Sequence, residues 1–355
     1  MNKSITKTLV LALPLTFLGL SCSKNNVDPG KETATLQKEV LLNVANNVCT
    51  QSYEDMYAKT QELLTAVTAL NTTTNDDNLA TARLKWKAIR TTWERTEAWL
   101  FGPVEQNNID PRIDTWPVEF NALDAILANN DELTDTYIDG LEDALKGFHP
   151  IEYVLWGKNG NKKAAQITTR EKQYLLALTT NLVKLSKEVR DSWTTGGYNN
   201  QLATAGAGST EFTSQQAAFL QIVDGMAGIC GEVADSKIKE PFEAQDPTLE
   251  ESPFSKNSVI DFTNNINGIL DMYQGKFAED GKGLEDIVRA NNLQLDAEIK
   301  SKHAAAIASL QAITKPFGEA IVSEQPKVQN AMTKITELAT VLDGKLKPFV
   351  KQYVK

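Results

Sequence analysis

The chain has 355 residues, 41% of them hydrophobic and 23% charged. That supplies a core and a solvated surface and excludes wholesale disorder and collagen-like or low-complexity architectures. Thirty-six Lys and Arg against 46 Asp and Glu leave a net charge of −10, which argues against nucleic acid as a partner, and two histidines with three cysteines exclude a metal site built mainly from His or Cys.

At roughly 150 residues per domain the length predicts about two domains. Residues 1–21 read as an export signal. Lys3 and Lys7 precede an apolar run from Leu9 to Leu20, and Ser21–Cys22 follows at once. The run is shorter than the roughly 20 residues that a membrane-spanning helix needs. Its Cys after a small residue resembles a bacterial lipoprotein signal, with Cys22 as the acylated first residue; plain secretory cleavage nearby is the alternative. Cleavage before Cys22 removes two lysines and no acid, taking the charge from −10 to −12. Lipid on Cys22 predicts a protein held to the bacterial envelope through a membrane anchor, at the outer membrane and facing the periplasm. Residues 22–32 read as a tether, and no later segment reads as apolar enough to cross a membrane.

The rest reads as all-α. Val40, Leu41, Val44, Val48, Met56, Leu63, Leu64 and Val67 recur at threes and fours without Gly or Pro. A second helix is predicted from Leu79 to Leu100, stopped by Gly102–Pro103. A third is expected to start near Trp116–Pro117, with Asp114 as its cap. Shorter helices follow over Leu133–Leu145 and from Pro150, then a long one over Thr168–Trp193. Gly196–Gly208 reads as a linker. Beyond it come Thr210–Lys239, an irregular stretch over Pro241–Ser258, and helices over Val259–Tyr273, Leu284–Ala290, Leu293–Thr314 and Pro326–Leu342. Two helical bundles are thus expected, over 33–205 and 206–355. The pairs Val48–Cys49 and Ile229–Cys230, in the first long helix of each half, hint at a pseudo-symmetric duplication. Cys49 and Cys230 are either two buried thiols or, in an oxidising compartment, a bridge.

Gly147-Phe148-His149-Pro150-Ile151-Glu152 is the most informative stretch. Pro150 suits a helix start, and Gly147 permits a sharp turn or close approach just before it. His149 and Glu152, three apart, face one side of the first turn. They are plausible ligands for a divalent or ferric ion, or a structural hydrogen-bonded pair, which spacing alone favours. Arg90, Glu94 and Glu97 share a helix face that reads as solvated unless it is buried beside His149. His303, on a polar-to-apolar helix, reads as surface. Ser258 suits a helix cap, and Asp261 and Asn265 share the following helix face.

Gly147-x-His149-x-x-Glu152 resembles the Gly-x-His-x-x-Glu signature of the imelysin family. Arg90 to Pro103, Ile113-Asp114-x-Trp116-Pro117 and Ser255-x-Asn257-Ser258-x-x-Asp261-Phe-x-x-Asn265 are similar to its other recurring blocks, and the likeness spans the chain beyond the tether. The resemblance implies two all-helical halves, an exported envelope protein associated with iron regulation and uptake, and a shared site around His149 and Glu152 between the halves. The family was named for a proposed metallopeptidase. The zinc-hydrolase pattern His-Glu-x-x-His is absent from this sequence, so a zinc enzyme would need carboxylates for its missing ligands. A mixed His and carboxylate set suits iron better than zinc. Three readings follow. In the first, the protein binds iron of either oxidation state, or an iron-bearing partner among iron-uptake components, through His149 and Glu152. Gly147, Arg90, Glu94, Glu97, Asp114, Trp116, Ser255, Asp261 and Asn265 then complete the pocket. The second is a metallopeptidase, and the third a metal-free interaction module built on a satisfied His–Glu network.

Overall fold

This computed structural model describes residues 29–355, with side chains from Thr33 onward. The expected export signal, Cys22 and most of the expected tether lie outside the described residues. Helix α1 (Pro29–Asn43) starts inside the stretch read as tether, so residues 29–32 are helical. The chain continues through a wide π turn (Val44–Thr50) into α2 (Gln51–Thr72). At the turn the Thr50 hydroxyl donates to the Ala45 carbonyl five residues back at 2.7 Å. No strand occurs among the described residues.

Helix α3 (Asp76–Thr96) is capped by Asn75, whose side chain accepts the Asn78 N–H. Its buried row Leu79, Ala82, Trp86, Ile89 and Trp93 follows the three-and-four spacing of one helix face. The short helices α4 (Pro103–Gln106), α5 (Ile109–Asp114), α6 (Phe120–Ala128) and α7 (Asp135–Asp139) lead to α8 (Phe148–Trp156). Helix α9 (Thr169–Trp193) opens with a capping box: Thr168 Oγ1 accepts the Glu171 N–H, and the Glu171 carboxylate accepts the Thr168 N–H. Helices α2, α3 and α9 pack together, and α8 lies against α3 and α9.

Helix α10 (Tyr198–Ala203) closes the first half, against α1 and α9. The second half comprises α11 (Gln215–Glu232), α12 (Lys239–Ala244), α13 (Ser258–Gln274), α14 (Leu284–Asn291), α15 (Leu293–Gln311), α16 (Phe317–Ser323), α17 (Gln325–Val341) and α18 (Lys347–Tyr353). Helices α11, α13, α15 and α17 form its bundle. The seam between the halves is α13 against α3. A Cβ at Gly268 of α13 would lie 2.1 Å from the Arg95 carbonyl oxygen, so only glycine allows this approach. The buried apolar residues form one continuous cluster across both halves.

Several expectations need correction. The helix expected at Trp116–Pro117 begins at Phe120, because the Glu119 carboxylate accepts the Ala122 N–H at 2.7 Å and caps it there. Asp114 ends α5 instead of capping α6. The linker at 196–208 contains α10, whose Tyr198 and Leu202 are buried. The stretch 241–258 is irregular only in part, since α12 extends to Ala244. The Ser258 hydroxyl caps no helix; it donates to Glu250 at 2.7 Å. His303 is buried, with Nε2 3.1 Å from the Ile266 carbonyl oxygen. Cys49 and Cys230 are both buried free thiols. By length and apolar content the continuous helix Gln215–Ala244 would suffice to cross a membrane, contrary to expectation, but it packs into the fold and carries the buried Lys237.

Candidate metal centre

The polar residues at the seam arrive from five segments. Arg90, Trp93 and Glu94 come from α3, and Glu97 from the single 3-10 turn after it. Asp114 ends α5, while His149 and Glu152 occupy the first turns of α8. Lys237 lies on a wide π turn (Val233–Ile238) that prolongs α11. Glu250, Glu251 and Ser252 precede α13, which carries Asp261 and Asn265.

Gly147 sets the junction of α5 with α8. Its φ is +79°, and a Cβ there would lie 2.1 Å from the Ile113 carbonyl oxygen. Glycine therefore lets the start of α8 press against the end of α5, which brings His149 beside Asp114. The imidazole Nε2 lies at an ion-pair distance of 2.9 Å from Asp114 Oδ1, with no hydrogen-bond partner of its own. On the other side of the ring, Nδ1 lies 3.4 Å from Glu152 Oε2. Glu152 Oε1 accepts the Ser255 N–H at 2.6 Å, tying α8 to the second half.

Arg90 is fully buried and holds the carboxylates together. Its guanidinium meets Asp114 and Glu94, donates to Glu251 at 2.8 Å, and lies 3.5 Å from Asp261. The Phe148 ring centroid is 5.0 Å from it. Lys237 Nζ lies 2.9 Å from Glu251, 3.0 Å from Glu97 and 3.8 Å from Glu94. Asn265 Nδ2 donates to Glu94 and Glu97, each at 2.7 Å, and Trp93 Nε1 donates to Asp114 at 2.6 Å.

Two fixed cations thus face five buried carboxylates: Asp114, Glu94, Glu97, Glu251 and Asp261. Burial alone disfavours that much negative charge. It pushes the Glu94 and Glu97 carboxyls well up, and raises Asp261 to about 6 against the opposing pull of Arg90. Asp114 is the exception: burial works against its charge, but Arg90, then His149 and Lys237, hold it well below the usual carboxylate range. His149 answers in kind. Burial would lower it, yet Asp114 and Glu152 outweigh burial and raise it to about 9.

The ligand atoms of Asp114, His149 and Glu251 lie within 4.8 Å of one another, and so do those of Glu94, Glu97, Asp114 and Glu251. Glu152 belongs to neither group, because its oxygens face Nδ1 and the Ser255 amide. Glu251 and Lys237, the two residues missed by sequence reasoning, are both fully buried. Glu251 sits in a stretch read as irregular, and Lys237 was one basic residue on an apolar helix; the doubled acid Glu250–Glu251 just before the Ser255 block was the only available signal. Trp116 stacks obliquely near His149, with ring centroids 6.2 Å apart. Ser255 contributes its amide, while its buried hydroxyl has no hydrogen-bond partner.

Two packed helical halves with a buried carboxylate–histidine centre at their seam define the class of protein. The chain belongs to the imelysin family, whose model (peptidase M75) matches residues 49–343. It is similar to iron-regulated protein A of Synechococcus elongatus, at 27% identity over 99% of this chain and 98% of the relative. Among solved structures it resembles one from Parabacteroides distasonis, described as an iron-regulated protein A precursor, with TM-score 0.81 and 23% identity over 90% of this chain and 95% of that one. An imelysin-like protein from Psychrobacter arcticum matches with TM-score 0.75 and 15% identity, over 90% and 96% of the two chains.

Proposed function

We propose that this protein binds iron at the seam, with His149 Nε2, Asp114 and Glu251 as ligands. The observation that carries this reading is a pair of orphaned atoms. His149 Nε2 and Glu251 Oε2 are buried and have no hydrogen-bond partner, in a centre with more carboxylates than cations. A buried polar atom left unpaired costs roughly 1–3 kcal/mol, and more when charged, so an ion that engages both relieves a real penalty. Carboxylate oxygens with one imidazole form a hard donor set that iron accepts, harder than the thiolate- or His-rich sets usual for zinc. When bound, iron supplies positive charge and Lewis acidity. The chain's own part is to orient and exclude water. Glu152 holds Nδ1, which leaves Nε2 as the ligand atom, and Arg90 fixes Asp114 and Glu251.

The metal-free network reading draws on the same contacts, since Asp114 and Glu152 flank the imidazole. A fully satisfied network would leave no orphaned atom, and this one leaves several, His149 Nε2 and Glu251 Oε2 among them. Binding is favoured over peptide hydrolysis because Glu152, the obvious candidate base, does not line the adjoining cavity. The export signal and the precursor status of a relative support an envelope location, with lipid on Cys22 as the anchor and iron-uptake components as partners.

Calorimetry with ferric and, without oxygen, ferrous iron tests the reading. One ion per chain is expected, lost in His149→Ala and Glu251→Gln. Equal binding in the variants, or none in the wild type, would overturn it. Release from the membrane fraction by Cys22→Ser tests the anchor.

A further inference from the structure

A cavity of about 230 Å³ adjoins the centre, with His149 and Glu251 at its inner end. Trp116, Val118, Phe120 and Phe254 form its walls. Lys158 and Thr248, both exposed, stand at the mouth. We infer that this cavity is a subsite for an organic co-ligand, and that the centre takes its ion as a complex with a small single-ring oxygen-donor chelator. This rests on the iron-binding reading above.

Three protein ligands leave a hard ion with further positions to fill. An ion held by Nε2 and Glu251 Oε2 would sit at the inner end of the cavity, with its remaining positions toward the aromatic walls. Such walls offer water few hydrogen-bond partners, and hydrating water would lose part of its bonding there. A chelator that presents oxygen donors on one edge and an apolar ring on the other satisfies both the ion and the walls. The walls are themselves fixed: Phe120, Tyr153 and Phe254 meet edge to face, with centroids 5.2 to 6.1 Å apart.

Size and charge narrow the class. An apolar cavity of roughly 150 Å³ admits benzene, so 230 Å³ admits one substituted ring and not a large multidentate chelator. Deprotonated oxygen donors carry negative charge. Glu250 and Glu251 repel such a molecule when it comes alone, whereas the ion neutralises it. Lys158, whose ammonium lies 5.6 Å from the Phe120 centroid, pairs with charge left at the mouth. Entry of the ring therefore depends on the ion.

The test uses the full chain in detergent, with ferric citrate as a ring-free iron source and maltol as a single-ring chelator. Equilibrium dialysis should retain one maltol per chain only when iron is present. Maltol should tighten iron binding by roughly tenfold or more, the worth of burying one ring. Thr248→Trp narrows the mouth from an exposed position, so it should cut maltol retention while iron from ferric citrate, which needs no room for a ring, still binds at equilibrium; Lys158→Glu should weaken retention alone. Iron binding without maltol retention, or retention undiminished in Thr248→Trp, would overturn the inference and leave iron binding standing. Maltol retained equally without iron would also overturn it. If iron binds in neither form, the reading beneath fails as well.

Discussion

Asp114 and Glu251 serve two overlapping groups of side chains, and the two sides of the centre differ in what balances their charge. On the Glu94–Glu97 side, the Lys237 ammonium sits among the carboxylates within 3.8 Å of three of them. On the His149 side Lys237 reaches Glu251 alone, Arg90 and the imidazole face Asp114, and His149 Nε2 and Glu251 Oε2 have no hydrogen-bond partner. The same electrostatic problem has been met once by a cation covalently tied to the chain. On the other side the proposed iron would supply part of that balance. A protein that needed only a rigid seam could have used a second lysine.

The largest expected effect breaks the tied side. Lys237→Met removes the ammonium and keeps the volume, leaving Glu97 without a cationic partner and Glu94 and Glu251 with Arg90 alone. Removing one partner from a buried charge network costs about 3–5 kcal/mol, so the urea midpoint should fall steeply. Loss of less than about 1 kcal/mol would mean that protonation of the carboxylates had replaced the lysine.

Gly147→Ala attacks the His149 side through its geometry. The positive φ and the 2.1 Å approach to the Ile113 carbonyl predict a loss of about 1–3 kcal/mol and a displaced His149. Iron affinity should fall along with stability, whereas Lys237→Met should cost mainly stability. Equal iron affinity in Gly147→Ala and wild type would show that the α5–α8 junction does not set the site.

Glu152→Gln sharpens the division further. The carboxamide oxygen can still accept the Ser255 N–H, so folding should be preserved. The imidazole loses its charged partner, and iron affinity should drop roughly 10–100-fold, as is usual when a residue orienting a metal ligand is changed. Complete loss, matching His149→Ala, would instead make Glu152 a ligand.

The asymmetry was only half visible in the sequence. Helical periodicity exposed α2, α3, α9, α13, α15 and α17, because each buries a continuous apolar face. Gly147, His149 and Glu152 stood out because glycine, proline and the two polar groups fall at a helix start. Arg90, Glu94 and Glu97 were legible as one face, but their burial was not: spacing does not reveal that α13 covers it, which depends on Gly268 meeting Arg95. Asp114 was read locally as a cap, and its real partners come from α3 and α8. Lys237 and Glu251 were beyond reach for the same reason. Each is a single charge whose role exists only once the halves close. Elements with short caps and turns, such as α10 and the start of α6, misled because Gly and Pro mark where a chain bends without saying how soon a helix resumes.

The smallest expected effect concerns pH in the metal-free protein. His149 is raised to about 9 by Asp114 and Glu152 against burial; burial raises Asp110 and Glu250 to about 7, and Asp261 and Asp271 to about 6. Each of these groups holds its proton more tightly folded than unfolded. Their contribution is complete below the unfolded values and is lost as pH rises through the folded ones. Between about pH 4 and 9 the native state binds more protons, so stability falls with rising pH. Glu324 and Glu337, lowered to about 2 by lysine partners, act oppositely, but their contribution is lost only as pH falls through that value, and His303, lowered by burial, opposes the trend inside the window as one group against five. The apo Tm should therefore be higher at pH 5 than at pH 8 by a few degrees, since about 1 kcal/mol moves a large domain by roughly 2–4 °C. Saturating ferrous iron, without oxygen, should narrow that gap by supplying at pH 8 the positive charge that protons supply at pH 5. A Tm equal or higher at pH 8 without metal would mean that Arg90 and Lys237 already balance the centre, leaving no electrostatic vacancy for an exchangeable cation to fill.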